Sequence, residues 1–271
     1  SVPDAWRFVE QVGYPIVIKP PDGAGCRATY KIDHADALHA ALAEIRPAPE
    51  REALAEEFVT GEEHSFDTIT IDGKPVFHSI SRYLPGPLDV MRNDWIQWCV
   101  YLPRDIAGPE YDGIRKAGYA ANRALGLGTA MTHMEWFRRP DGSPVISEVG
   151  ARPPGAQFTS LMSWAYDRSL YSAWAQAMIN EHVEGGFDRK YSAGIAFLRG
   201  SGQGKVARID GLEEAQRKVG RFVVEARLPV VGRPRAQGYE GEGYVIVRHP
   251  ETRVVTDALS EIIQTVRVHY S

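Results

Sequence analysis

The chain has 271 residues, 44% of them hydrophobic and 24% charged, an ordinary globular composition with ample apolar material for a core. Lysine and arginine number 31 against 35 aspartate and glutamate, and the resulting net charge of −4 offers no basic surface for nucleic acid or an anionic membrane. No apolar run approaches the roughly 18 residues that span a bilayer, no signal peptide opens the chain, and two cysteines, Cys26 and Cys99, make neither a disulfide framework nor a metal knuckle, so a soluble cytoplasmic protein is expected.

The first predicted element is a helix over 3–11, with Pro3 suited to its first turn and Gly13 to its stop. It follows Ser1 almost directly, and a partial chain is expected. Residues 14–19, YPIVIK, read as a strand ended by Pro20-Pro21, and the glycine-containing stretch 22–29 leads into a second strand at 30–32. Asp33 is a suitable N-cap for a helix over 36–45, in which Leu38, Ala41, Leu42 and Ile45 fall at helical spacing. A strand over 53–59 comes next. Residues 63–71 and 75–83 form a hairpin across Asp72-Gly73. A strand at 94–101 and a helix over 108–125 lead to a second hairpin, then to helices over 157–165 and 169–180. In the last of these the stripe Leu170, Ala173, Trp174, Ala177 and Met178 reads as core packing. Gly185-Gly186 marks a boundary. Beyond it, strands at 191–198, 205–209, 221–226 and 243–247, a helix over 257–265 and a closing strand at 266–269 make a mostly antiparallel α+β lobe.

The second hairpin, within THMEWFRRPDGSPVISEVGARPPGAQ at 132–157, holds the most informative acids. Pro140-Asp141-Gly142 is a strong turn signal between alternating apolar runs. With Asp141-Gly142 as a two-residue loop, Pro140 faces Ser143, and counting back along both strands brings Glu135 opposite Glu148. Facing Cβ atoms in an antiparallel pair lie about 4.5–5.5 Å apart, where like charges repel. A hard divalent cation between them converts that repulsion into binding; taken alone, the pair reads equally as a solvated sheet face.

Two further stretches carry chemistry. Lys19 ends an apolar strand just before the 22–29 loop, where glycine-permitted backbone lets N–H groups approach an anion beside the ammonium. Gly-Lys-Ser/Thr is missing, so this is not a Walker A loop, and no helix opens on the glycines as a dinucleotide fingerprint requires. In EEFVTGEEHSFD, at 56–67, a strand stops, exposes the backbone of Glu57, Phe58 and Val59, and resumes beyond Gly61. That edge suits a purine, and Glu63 suits ribose hydroxyls; by itself the stretch reads more simply as a polar connection rich in acids.

Taken in order, YPIVIKP with DGAGCRAT, EEFVTGEEHSFD, and HMEWF with ISEVGARPPG resemble an ATP-grasp ligase over 14–157, and 191–271 resembles the C-terminal lobe of its carboxylate–amine ligase branch. The resemblance implies an α+β ATP-grasp fold, two α+β subdomains clasping ATP, with a C-terminal antiparallel lobe. The divisions expected are 1–60, 61–184 and 185–271. It further implies that Lys19 contacts the α- and β-phosphates, that Glu56 and the Glu57, Phe58 and Val59 backbone hold adenine, and that Glu63 holds the ribose. Glu135 and Glu148 are implied as ligands of one or two Mg²⁺ ions, with Mn²⁺ as a substitute, and Arg152 as the cation on the transferring phosphoryl group. Many family members carry asparagine two residues after the second acid, where this chain has Gly150. The family also uses a second lysine in an N-terminal lobe upstream of the Lys19 strand, so a companion lobe or a homodimer is expected.

The acceptor side is less legible. Residues 153–157, PPGAQ, lead into a helix whose first N–H groups suit an acyl-phosphate oxygen, or simply make a rigid turn. Arg82 and His133 are candidates for the same cleft, with a structural role the simpler reading for the histidine. Trp95, Trp98 and 92–94 read as pocket or core, core being simpler, and nothing near Cys26 marks a nucleophile. The expected activity joins a small carboxylate, an amino acid or organic acid, to an amine through an acyl-phosphate. The alternatives are a biotin carboxylase-like enzyme, which ranks lower because no biotin-carrier motif is present, and a non-catalytic nucleotide-binding fragment or subunit.

Overall fold

The computed structural model describes residues 1–21, 29–93 and 96–271; nearly all of the predicted 22–29 loop, with Cys26, and Asp94 and Trp95 lie outside the described residues. The chain divides into two compact units, Ser1–Thr60 and Gly61–Ser271.

The first unit runs α1 (Val2–Val12), β1 (Ile16–Lys19), β2 (Tyr30–Ile32), α2 (Ala35–Ile45), β3 (Leu54–Glu57). Its three strands are antiparallel in the order β2-β1-β3. Side chains alternate across a strand, so Ile16, Ile18 and Ile32 bury against Ala5 of α1 and Leu38, Ala41 and Leu42 of α2. Val17, Lys19, Lys31 and Glu56 share the opposite face. The cap of α2 differs from expectation: His34 Nδ1 accepts from the Ala37 N–H, while Asp33 pairs with Lys31 at 2.9 Å.

The second unit continues with β4 (Glu62–Ile71), β5 (Lys74–Leu84), α3 (Pro87–Arg92), β6 (Trp98–Leu102), α4 (Asp112–Ala124), β7 (Ala130–Arg138), β8 (Pro144–Gly150), α5 (Phe158–Tyr166), α6 (Leu170–Asn180), β9 (Ser192–Leu198), β10 (Val206–Asp210), α7 (Leu212–Val219), β11 (Val223–Arg227), β12 (Gly243–His249), α8 (Thr252–Thr265) and β13 (Arg267–Tyr270). Eight of these strands form one antiparallel sheet ordered β11-β12-β9-β6-β5-β4-β7-β8, and β10 and β13 pair separately. Residues 185–271, expected as a C-terminal lobe, thus contribute β9, β11 and β12 to the sheet built by 61–184.

Period-2 alternation gives this sheet two dressed faces. One face, with Ile69, Phe77, Tyr83, Trp98, Val100, Ile195 and Phe197, packs on α5 and α6. The other carries Phe66, Ile80, Met134 and Trp136 with Ile114 of α4, and Cys99, Ala196 and Val247 with Val255 and Leu259 of α8. A Cβ on Gly118 would lie 2.6 Å from the Phe66 ring, so glycine there is what lets α4 seat this closely.

Several bounds shift from the sequence reading. The 108–125 helix opens with a 3-10 turn at Pro109–Tyr111, the last helix starts five residues earlier than expected, and α3 and α7 are elements the periodicity did not single out. Among the described residues no helix is long and apolar enough to cross a membrane.

Candidate active site

In the first unit, the β1–β3 register sets Glu56 beside Val17, one pleat from Lys19. Lys19 Nζ lies 3.0 Å from Glu56 Oε2. The strand-end lysine and the expected adenine acid are therefore an ion pair, both half-buried. Phe58 N–H donates to the Pro15 carbonyl at 3.2 Å, extending the β1–β3 ladder. The expectation that the whole backbone from Glu57 to Val59 is open to a purine is corrected accordingly. Alternation along an antiparallel ladder turns the peptide groups of Glu57 and Val59 outward and that of Phe58 inward. The Phe58 side chain reaches across instead, with Lys31 Nζ 4.6 Å from its ring centroid. Lys31 escaped the sequence reading; the signal was its place opposite Val17 on the Lys19 face.

In the second unit, Glu135 and Glu148 are direct cross-strand partners. The route to that register differs from the predicted one. Arg139 N–H donates to Ser143 O and Gly142 N–H to Arg139 O, so the tip is three residues, 140–142, and Gly142 takes the left-handed φ of 84° that such a turn needs. Next to the tip, Trp136 faces Ile146, a register that continued unchanged would set Ser147 opposite Glu135. A β-bulge between Glu135 and Trp136 absorbs one residue and restores the glutamate pair. Glu135 is half-buried and Glu148 exposed.

Around Glu135 the β4–β7 and β4–β5 registers gather polar side chains on the face that packs on α5. Ser65 faces Glu135, Asp67 faces His133, and Ser81 faces Ser65. Ser65 Oγ donates to Asp67 Oδ2 at 2.6 Å, which leaves Ser81 to donate to Ser65 Oγ at 2.7 Å. His133 Nδ1 lies 2.6 Å from Asp67 Oδ1, and Nε2 lies 3.5 Å from the Tyr83 hydroxyl and 3.7 Å from Glu135 Oε1. Burial pushes the His133 imidazole down, but the Asp67 charge, its hydrogen bond and Glu135 outweigh that and hold it up at about 10. Glu63 stands on the same face; burial, reinforced by the charges of Glu135 and Asp89, pushes its carboxyl well above the usual range. Asp67 and Tyr83 were missed in the sequence, though the period of two from Glu63 places Asp67 on its face.

Three other candidates fall elsewhere. Arg82 pairs with Glu62 on the opposite face of the sheet, because it alternates with Tyr83 along β5. Trp98 is core, 1% exposed and stacked on Phe197 with centroids 4.6 Å apart. Arg152 is exposed just past β8, donating from Nη1 to the Pro153 carbonyl at 3.0 Å. A Cβ on Gly150 would lie 3.6 Å from the Arg152 Cγ and Nε, so the arginine side chain lies along that glycine. The turn from Gly155 into α5 holds two successive left-handed non-glycine residues, Ala156 at φ 47° and Gln157 at φ 60°.

Among the described residues no three His, Cys, Asp or Glu side chains converge as a metal site of their own. Two facing carboxylates are the donor set for a hard divalent ion that completes its shell with phosphate and water oxygen, and Mg²⁺ fits that chemistry.

An ATP-grasp domain model matches residues 12–160, more than half of the chain. The chain belongs to the ATP-grasp family. Over 169 residues it is 26% identical to the L-arginine-specific L-amino acid ligase of Bacillus subtilis, covering 60% of this chain and 40% of that one. Over 180 residues it is 25% identical to the D-alanine–D-alanine ligase of Geobacillus thermodenitrificans, covering 64% and 48%. The chain thus spans less than half the length of these curated relatives. Its fold is similar to that of an L-amino acid ligase from Bacillus licheniformis, with a TM-score of 0.76 at 22% identity over 95% of this chain and 64% of the other. An N5-carboxyaminoimidazole ribonucleotide synthetase from Thermotoga maritima gives a TM-score of 0.67 at 18% identity, over 99% and 66%.

Proposed function

We propose that this ATP-grasp chain carries the nucleotide and metal side of an ATP-dependent carboxylate–amine ligase whose carboxylate substrate is an amino acid. The observation that carries the reading is the facing pair Glu135 and Glu148, with Arg152 just past the second of them. The amino-acid ligases among the relatives favour an amine acceptor over a carboxylation. In this reading Lys19 contacts the α- and β-phosphates; Glu56 and the outward peptide groups of Glu57 and Val59 take the adenine edge, beside Phe58; and Glu63 accepts from the ribose. Glu135 and Glu148 hold Mg²⁺, which when bound neutralises phosphate oxygens during phosphoryl transfer.

A carboxylate is a poor electrophile, so its oxygen first takes the γ-phosphoryl group and ADP departs. The amine nitrogen then attacks the acyl carbon, phosphate leaves with the former carboxylate oxygen, and the amine loses a proton. Arg152 suits the charge that builds in the first step, since a planar guanidinium forks onto phosphoryl oxygens. Small-molecule partners, a cytoplasmic setting, and a companion N-terminal lobe or second copy belong to the same reading.

The test is to incubate the protein with Mg·ATP and pooled L-amino acids, following ADP release and condensed product by mass. ADP together with a dipeptide supports the ligase. Nucleotide bound without ADP formation across the pool would leave a nucleotide-binding subunit in its place.

A further inference from the structure

We infer that Asp67 and His133 are a positioning pair that sets the Glu135 carboxylate for metal binding. The inference rests on Glu135 being a metal ligand, as proposed above. Ile69, Phe77, Tyr83 and Met131 surround this polar group on the face of the sheet that packs on α5 and α6. Placing Ser65, Ser81 and Asp67 there, each no more than 1% exposed, costs free energy unless every group is hydrogen-bonded. They are bonded in one direction: Ser81 to Ser65, Ser65 to Asp67 Oδ2, and Asp67 Oδ1 to His133 Nδ1.

The chain of bonds ends at the imidazole, whose plane is fixed from a second side by an edge-on contact with Phe158, centroids 5.4 Å apart. With Nδ1 committed and the ring fixed, Nε2 faces Tyr83 and the Oε1 of Glu135. At 3.7 Å the Glu135 contact lies just outside hydrogen-bond range. A shift of about 0.8 Å brings it to the usual N–H···O length. The two carboxylate oxygens thereby become unequal: Oε1 is drawn to His133, which would turn the carboxylate toward a bound cation. Partners behind a ligating carboxylate fix its orientation, and losing one weakens metal binding by roughly 10- to 100-fold.

The experiment measures Mn²⁺ affinity from the free-ion paramagnetic signal, at saturating non-hydrolysable ATP analogue, for the wild type and for His133→Ala, His133→Gln, Asp67→Asn and Glu135→Gln. His133→Ala and Asp67→Asn are expected to weaken Mn²⁺ by about tenfold or more, and His133→Gln, which keeps an N–H donor, by less. Metal-free nucleotide affinity should stay within about twofold, a separation that general unfolding would not produce. Asp67→Asn, being isosteric, carries the test if His133→Ala does not fold. Unchanged affinity overturns the inference, as does tighter binding, the result if the imidazole merely competes with the cation for Glu135. If Glu135→Gln also leaves Mn²⁺ affinity unchanged, the metal reading falls along with the positioning one; if only Glu135→Gln weakens it, the metal site stands and the positioning pair does not.

Discussion

Two carboxylates that face each other across an antiparallel strand pair repel by up to about 1 kcal/mol, a cost that a bound cation would offset. Replacing Glu148 by glutamine removes the repulsion and the ligand together. Glu148→Gln is therefore expected to abolish ADP release while nucleotide binding partly survives, as isothermal titration beside an ADP assay will show; turnover at the wild-type rate would remove Glu148 from the metal site. Gly150 offers the converse change. Its φ is outside the left-handed region, and a Cβ there meets Arg152 at 3.6 Å, ordinary contact, so Gly150→Asn should fold and add an oxygen beside Glu148. The expected outcome is tighter Mn²⁺ binding at little change in melting temperature. Lys19 and Glu56 were legible as separate polar residues at a strand end and in an acidic stretch. Their ion pair was not, because it depends on the β1–β3 register rather than on spacing along the chain.

At the scale of elements, the turn from Gly155 into α5 is where the backbone is held least comfortably. A non-glycine residue in the left-handed region costs roughly 1–2 kcal/mol, and Ala156 and Gln157 both sit there. Ala156→Gly is expected to stabilise the chain by about 1 kcal/mol, a rise of about 2–4 °C in Tm by calorimetry. If the turn presents α5 to a substrate, the same variant loses turnover. Elements with a strong local signal were read from the sequence: both hairpins from their Asp-Gly pairs, and α2 and α6 from helical spacing. Asp67 was not, since its partner His133 is 66 positions away and only the sheet brings them together. The Glu135–Glu148 pairing was foreseen through a turn one residue too short, and the bulge beyond Trp136 made up the difference. Register at a distance from a turn is decided by which side chains must be buried, here Met134 and Trp136 against α4.

At the scale of the molecule, each of the two units has its own apolar core. Ile18, 1% exposed, belongs to the smaller one, and Ile18→Ala should cost about 2–5 kcal/mol there. Hydrogen exchange is expected to lose protection over 1–60 while β4, β5 and β9 keep theirs; uniform loss would mean that the units unfold as one. Acid acts on the larger unit. Burial, with the charge of Arg138 next, pushes His64 down to about 3, and burial with Arg189 and Arg115 pushes His78 down to about 4. Both are lowered from an unfolded value near 6.5, so their stabilising contribution is complete above that pH and declines as pH falls toward the folded values. For His64 this amounts to up to about 2 kcal/mol at pH 5. Urea midpoints at pH 7 and pH 5 should therefore differ in the wild type and differ by about half as much in a His64→Asn variant, where the share of His78 remains. The three-residue tip of the β7–β8 hairpin is exposed at Asp141 and Gly142 and is separated from the glutamates by the bulge that aligns them. A guest peptide spliced between Asp141 and Gly142 would hang from the sheet edge without disturbing the acids. That makes the tip a place to attach a fluorophore or a surface anchor, whereas a single residue added between Ser147 and Glu148 would turn the second acid to the wrong side.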